Sequence, residues 1–374
     1  MEARLRFAIV GCGRVAGNHL DAIARAPRAA IAAVCDLDAI RAAAYSDAFG
    51  VPWYTNYHEM LLAEPIDVVS IATPSGMHPR HAVEVMEQHG KHVVIEKPMA
   101  LRLSDLDLLR DVASRTGCRV FPVFENRYNT AAEKVHAELQ AGALGRLVVG
   151  TVRVRWCRPQ RYYDQSVWRA TWALDGGCLT NQGIHYVDLL LRLVGDAERV
   201  FAFKTTALAR VEVEDTLVAS LHFANGALGQ IEVTTAARPD DFEAEVSVLG
   251  EKGTAVIAGL ASNRLTVWTP DPAICPRYSE EVPNAYGFGH RPFYRDVVNE
   301  LVDGVPHPIS FADGERAVRL LNAIYRSTED GAPVRLDGQP ASALLGRPDP
   351  ELEKLYVTPP AAHVRKATLQ EERT

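Results

Sequence analysis

"RFAIVGCGRVAGNHLDAIARA", residues 6–26, begins as an apolar run, breaks at glycine and continues with apolar residues at helical spacing. Gly11, Gly13 and Ala16 form a GxGxxA pattern at the break. Between a strand and a helix each small residue has its own use. Gly11 permits the tight turn, Gly13 lets a pyrophosphate approach the backbone, and Ala16 lets the helix pack closely on the strand. The helix N-terminus, with Arg14 and Val15 in its first turn, then offers free N–H groups and a positive dipole end to phosphates. Taken alone, the pattern reads equally well as a plain glycine-rich turn.

The next apolar run, "AAIAAVCDLD" (29–38), ends in acid. Asp36 stands 20 residues beyond Ala16, where a carboxylate can bind a ribose 2′-hydroxyl and repel a 2′-phosphate. With the glycine pattern it points to NAD rather than NADP. Asp38 competes for that role, and a helix N-cap is the alternative use of either acid.

Strand–turn–helix recurs in "DVVSIATPSGMHPRHAVEVMEQHG" (67–90) and "KHVVIEKPMALRLSDLDLLRDVASRTG" (91–117), and "RVFPVFENR" (119–127) adds a strand. Strands alternating with helices of this length predict an α/β fold, a doubly wound parallel sheet of the Rossmann kind. Right-handed crossovers gather the strand C-termini on one edge. That edge makes Thr73, Pro74, His78, Glu96 and Lys97 further cofactor-site candidates.

Lys97, inside "EKP" (96–98), closes an apolar strand. A lysine there is ordinarily a solvated charge. Pro98 restricts its backbone and admits a cis peptide. A lysine held beside a nicotinamide could polarise a hydroxyl oxygen. Its partner is sought in "GGCLTNQGIHYVDLL" (176–190). Asn181, His185 and Asp188 are four and then three apart, so a helix puts them on one face. His185 has the side chain best suited to exchanging a proton at neutral pH. Asn181 is placed to bind a substrate hydroxyl or to orient the imidazole, and Asp188 to hold the other ring nitrogen or to cap local structure. Gly176 and Gly177 allow a closely packed helix start. A buried histidine satisfied by Asn181 is the plain alternative.

The GxGxxA turn, the acid at the second strand end, "EKP" and "GG…NQGIHYVDLL" together resemble the Gfo/Idh/MocA oxidoreductases, over nearly the whole chain to about Leu336. The resemblance implies a C-terminal α/β domain with a large open antiparallel sheet, which shields the nicotinamide and often forms the oligomer interface. It implies Lys97 and His185 as catalytic residues. Many members have aspartate where this chain has Asn181, which puts a proton relay through an acid at that point in doubt. The "NQ" form is similar to members acting on activated sugars, nucleotide-sugar 3-dehydrogenases among them. The expected organisation is a NAD-binding domain at 1–124, a substrate and oligomerisation domain at 125–337, and an arm at 338–374. The expected assembly is a homodimer or homotetramer through the C-terminal sheet.

The later sequence agrees with such a domain. "LVVGTVRVRWC" (147–157), "VEVEDTLVASLHFA" (211–224), "ALGQIEVTTAA" (227–237) and "EAEVSVLGEKGTAVIAG" (243–259) alternate as strands. "HRPFYRDVVNELVDG" (290–304) and "ADGERAVRLLNAIYRSTEDG" (312–331) read as amphipathic helices. "RWCRPQRYYDQSVWRATWALDGG" (155–177) packs arginines among aromatics just before the site segment. Aromatics suit sugar C–H faces, and arginines suit carboxylate or phosphate. Substrate contacts are therefore expected at Arg158, Tyr163, Asn181, His185 and Lys97. Glu125, Asn126, Arg127 and His290 are weaker candidates.

The chain has 374 residues, 47% hydrophobic and 23% charged, with a net charge of −7. That suits two globular domains and argues against nucleic acid or an anionic membrane surface as partner. The six cysteines have no CxxC spacing, so neither a metal site nor a disulfide framework is expected, and a reducing cytoplasmic setting fits. The function expected is NAD-dependent oxidation of a secondary ring hydroxyl, at C3, of a nucleotide-activated or otherwise substituted pyranose. An inositol or aminosugar dehydrogenase of a natural-product pathway shares the same machinery. A NAD-binding regulator without turnover is disfavoured, since it needs no paired proton-transfer groups.

Overall fold

The computed structural model describes residues 4–282 and 284–361. The first half lays down β1 (Leu5–Val10), α1 (Ala16–Arg25), β2 (Ala29–Cys35), α2 (Ala39–Phe49), β3 (Trp53–Tyr54), α3 (Tyr57–Ala63), β4 (Val68–Ile71), α4 (His78–His89), β5 (His92–Ile95), α5 (Leu103–Thr116) and β6 (Val120–Pro122). The strands form one parallel sheet in the order β3-β2-β1-β4-β5-β6. The order reverses beside β1, and such a switch point leaves a crevice at the strand C-termini. Buried on both faces, β1, β4 and β5 carry consecutive buried residues rather than an alternating pattern.

Next come α6 (Thr130–Gln140), β7 (Leu147–Arg155), α7 (Gln160–Tyr163), α8 (Ile184–Val194), β8 (Ala197–Thr205), β9 (Thr216–Phe223), β10 (Leu228–Thr234), β11 (Glu243–Gly250), β12 (Gly253–Ala258) and β13 (Arg264–Trp268). The chain closes with α9 (His290–Asp303), α10 (Phe311–Asp330), β14 (Val334–Arg335) and α11 (Pro350–Glu353). The second sheet runs β13-β12-β11-β7-β10-β9-β8-β14. It is mixed, which corrects the expectation of an antiparallel sheet: β10 pairs with β7 in parallel, while the other pairs are antiparallel. Parallel neighbours need a long crossover. Here the chain leaves β7, passes through the site segment and α8, and returns along β8 and β9. The parallel pair is thus the consequence of inserting the site helix between two central strands.

One face of this sheet packs on α8 and α10. The opposite face leaves Phe203, Val218, Leu228 and Leu249 exposed. The late helices also reach the first sheet. Helix α9 packs on α1, where the Tyr294 hydroxyl meets His19 Nδ1 and Ser70 Oγ at 2.7 Å each. Residues beyond β14 run back between the two sheets: Gly346 N donates to Trp172 O (2.8 Å), and Asn56 Nδ2 donates to Pro359 O (3.0 Å). The rest of the expected arm, 362–374, lies outside the described residues.

Candidate active site

A cavity of about 890 Å³ follows the crevice of the first sheet. Gly11, Gly13, Arg14, Val15, Asp36, Thr73, Pro74, His78, Glu96 and Lys97 all line it. Gly11 has φ +101°, and a Cβ there would lie 2.5 Å from the Ala72 carbonyl oxygen, so only glycine fits. At Gly13 a Cβ would meet nothing within 4 Å, leaving bare backbone toward the cavity. Asp36 accepts from Cys12 N (2.7 Å) and from Asp38 N (2.8 Å). Asp38 is the N-cap of α2, accepting from Ile40 N and Arg41 N. Both acids line the cavity, but Asp36 is tied to the glycine turn while Asp38 caps α2. Bare glycine backbone at a helix start with a carboxylate at the next strand end fits a dinucleotide.

At the other end, β5 delivers "EKP", with a cis Lys97–Pro98 peptide. His78 sits behind it, its ring nitrogens 2.8 Å from Pro98 O and Thr73 O, joining two strand-end loops. Glu96 is buried, 2.9 Å from His19 Nε2 and 3.8 Å from His290 Nε2. Burial alone would raise its carboxyl. Neighbouring His19, His290 and Lys97 outweigh that and hold it well below the usual carboxylate range. Lys97 Nζ donates to the Asn181 carbonyl oxygen at 2.8 Å, across from one sheet to the segment before α8.

That segment differs from a regular helix. Leu179–Gly183 forms a π-turn and α8 follows it. A π-turn loosens the i→i−4 pattern and is common at functional sites; here a main-chain carbonyl takes the lysine. The glycines are close-packed, though not against the cofactor domain as their sequence suggests. A Cβ on Gly177 would fall about 2 Å from the buried Glu214 carboxyl. The contact with the cofactor domain is made instead by Gly76, whose N–H donates to Leu174 O (3.0 Å). The Asn181 side chain lines the cavity and donates to Asp175, a buried carboxyl that desolvation pushes up to about 6.

The His185 side chain is 11% exposed, beside the cavity rather than in its wall. Its Nδ1 lies 3.6 Å from Glu125 Oε2. Neither atom has a hydrogen-bond partner in the structure, nor does either ring nitrogen of His290. Burial, with the Lys97 charge second, pushes His185 down to about 3. Burial pushes Glu125 up to about 6, against the pull of His290. Asp188 does not orient His185: it pairs bidentately with Arg127 (2.7 and 2.6 Å) in the interior. The carboxyl facing His185 Nδ1 is that of Glu125. The sequence offered it only as a residue following a strand end.

Among the basic and aromatic residues the structure selects others than those expected. Arg158 pairs with Asp241 (2.8 Å) and lies over Trp156. Tyr163 is buried with its hydroxyl 2.7 Å from Thr235 Oγ1. Neither lines the cavity. Successive side chains of the short helix α7 point about 100° apart, and Tyr162 is the one that reaches it. Its hydroxyl accepts from Arg169 Nη1 (2.8 Å) and Gln182 Nε2 (3.2 Å). The Arg169 guanidinium stacks between Tyr162 and Trp168.

A nicotinamide-dinucleotide groove beside a cluster of buried titratable groups from the strand ends and helices α8 and α9 defines the class: a NAD-dependent oxidoreductase. Comparison with known sequences agrees. Residues 5–124 match the NAD-binding Rossmann fold of the oxidoreductase family, and residues 132–256 match the GFO/IDH/MocA C-terminal domain. The chain belongs to the GFO/IDH/MocA family.

Its relatives act on diverse substrates. The structure of the WlbA dehydrogenase from Bordetella pertussis, in complex with NADH and UDP-GlcNAcA, is 40% identical, with 90% of this chain and 98% of that one covered and a TM-score of 0.85. GenD2 from gentamicin A biosynthesis, in complex with NAD, is 27% identical over 90% of this chain and 97% of that one, with a TM-score of 0.78. The D-apiose dehydrogenase of Paraburkholderia graminis is 29% identical over 359 residues, 91% of this chain and 92% of that protein. No helix among the described residues is long and apolar enough to cross a membrane.

Proposed function

We propose that the protein oxidises a secondary ring hydroxyl, at C3, of a nucleotide-activated pyranose that carries an acid group. The observation that carries the chemistry is Lys97 Nζ held on the Asn181 carbonyl one helical turn before His185. In this reading Gly11, Gly13, Arg14 and Val15 hold the dinucleotide phosphates, Asp36 the adenosine ribose, and Thr73, Pro74, His78 and Glu96 the nicotinamide side. Bound NAD supplies the hydride acceptor. The Lys97 ammonium polarises the reacting oxygen, and His185, kept neutral by burial and by that ammonium, takes the proton on its ring. Glu125, 3.6 Å from Nδ1, then balances the imidazolium, as a carboxylate does in other histidine-based sites. Two carboxyls pushed apart, Glu96 down and Glu125 up, mark where proton traffic is arranged.

The substrate class rests on Arg169 and Tyr162 in the cavity wall, on Arg14 close enough to act on Tyr162 and Tyr286, and on the likeness to a dehydrogenase bound to UDP-GlcNAcA. Stacked guanidinium groups suit carboxylate or phosphate. Exposed Phe203, Val218, Leu228 and Leu249 on the open face of the second sheet support assembly as a dimer or tetramer through that face. NADH formation measured on UDP-GlcNAcA, its uncharged UDP-sugar counterpart, free sugars, myo-inositol and aminoglycosides tests the proposal. The nucleotide-linked acid should give the highest kcat/KM, with a primary isotope effect for deuterium at C3. A preference for inositol or an aminoglycoside would overturn the substrate class, and no isotope effect at C3 the position.

A further inference from the structure

We propose that the C-terminal segment 349–358 is part of the NAD site: Tyr356 and Thr358 close its adenosine half, and the segment must lift for the dinucleotide to leave.

Its course supports this. The segment is anchored on the second domain, where Ser342 N donates to Asn322 Oδ1 (3.2 Å) and Leu345 is 2% exposed. It crosses to the first domain at Gly346. A Cβ there would lie 2.6 Å from Arg102 Cγ, so the Gly346 backbone packs closely on the Arg102 side chain. Asp349 caps α11 through Leu352 N (3.1 Å). From α11 onward, Leu352, Tyr356 and Val357 pack with Met77, Leu174 and Trp168 in a small apolar cluster standing apart from the main core. Two main-chain carbonyls then tie the segment to the NAD domain. Tyr356 O is 3.1 Å from His81 Nε2, whose Nδ1 is 2.9 Å from Thr73 Oγ1. Pro359 O accepts from Asn56 Nδ2.

Leu355, Tyr356 and Thr358 line the same cavity as the glycine turn, Asp36 and Arg41. The Tyr356 hydroxyl feels Arg41 and Asp36, which places it at the ribose end assigned above. Thr358 is 6% exposed. The segment forms a wall over a charged groove. The few ties that hold it are separable from the fold, being one small cluster and two side-chain hydrogen bonds. Walls of this kind act on release more than on encounter.

The test uses the full chain. NADH release is followed by stopped-flow displacement in the unmodified protein, Tyr356→Ala, Tyr356→Phe and Leu352→Ser. The expected result is release about tenfold faster or more in Tyr356→Ala and Leu352→Ser, with Tyr356→Phe near the unmodified rate. Hydrogen exchange gives a second readout that a merely structural tail would not move: amides of 350–358 should gain protection on adding NADH. Release within about twofold in both disruptive variants, or exchange of 350–358 indifferent to NADH, would overturn the proposal. Loss of NADH binding at Asp36→Ala with release unchanged in the tail variants would leave the NAD site standing and remove only the wall.

Discussion

The two ends of the cavity are built in opposite ways. The adenosine end is local. Gly11, Gly13, Asp36 and the start of α1 lie within 26 residues of one another, and short main-chain hydrogen bonds set them. The end proposed for the chemistry is assembled at long range, from Lys97 after β5, Glu125 after β6, Asn181 and His185 around α8, and His290 at the head of α9. The contrast separates binding from chemistry. A site for phosphates needs backbone in one conformation, which a short motif can encode. A site for proton transfer needs side chains whose burial and neighbours shift their protonation, and only the folded chain creates those neighbours.

Substitutions at the chemical end should therefore alter rate and pH behaviour, and those at the adenosine end affinity. Lys97→Ala should lower kcat by about 100-fold or more, with the NADH dissociation constant changed by less than about threefold. A parallel loss of NADH affinity would erase the separation of the two ends. Next in size is Asn181→Asp. Asn181 donates to the buried Asp175, so the change sets two carboxyls together. Unfolding measurements at pH 8 should show a loss of about 2 kcal/mol or more, largely restored by adding Asp175→Asn. No rescue by the second change would mean that the Asn181–Asp175 contact does not matter.

Glu125→Gln sharpens the comparison further. Burial raises Glu125 from 4.5 to about 6, so the folded state holds that proton more tightly than the unfolded one. Its ionised form costs stability that is absent below about pH 4.5 and grows as pH rises through about 6. The variant should match the parent at about pH 4 and exceed it by about 1–2 kcal/mol at pH 7.5, while kcat falls about tenfold. Calorimetry beside turnover decides it: a variant that loses stability at pH 7.5 contradicts the sign. The smallest effect belongs to the adenosine end. Asp36→Ser should narrow the preference for NADH over NADPH by about tenfold, read by fluorescence titration, with kcat at saturating cofactor unchanged.

The same contrast explains what the sequence made legible. The first sheet and the glycine turn follow from apolar runs and spacing, because parallel strands are buried on both faces. The choice between Asp36 and Asp38 needed the structure, since both end the same strand and only the hydrogen bonds show which one caps α2. The exchange of Asp188 for Glu125 was hidden for another reason. Helical spacing correctly put Asp188 near His185, but spacing says nothing of Arg127, 61 residues away, which claims the carboxylate. The π-turn left no mark in the pattern, and the β7–β10 pairing depends on where a crossover returns. The arginines were recognised as a group, but which of them reach the cavity depended on side-chain direction: Arg169 and Tyr162 line it, Arg158 and Tyr163 do not.

The central claim is that burial and the Lys97 ammonium hold His185 neutral beside Glu125, ready to take the substrate's proton. NMR titration of the His185 imidazole, assigned by comparison with His185→Ala, tests it most directly. The account predicts a ring that stays neutral down to at least about pH 5, with its midpoint rising in Lys97→Met once that charge is gone. A His185 midpoint near the ordinary histidine value of about 6.5, unmoved by Lys97→Met, would contradict it.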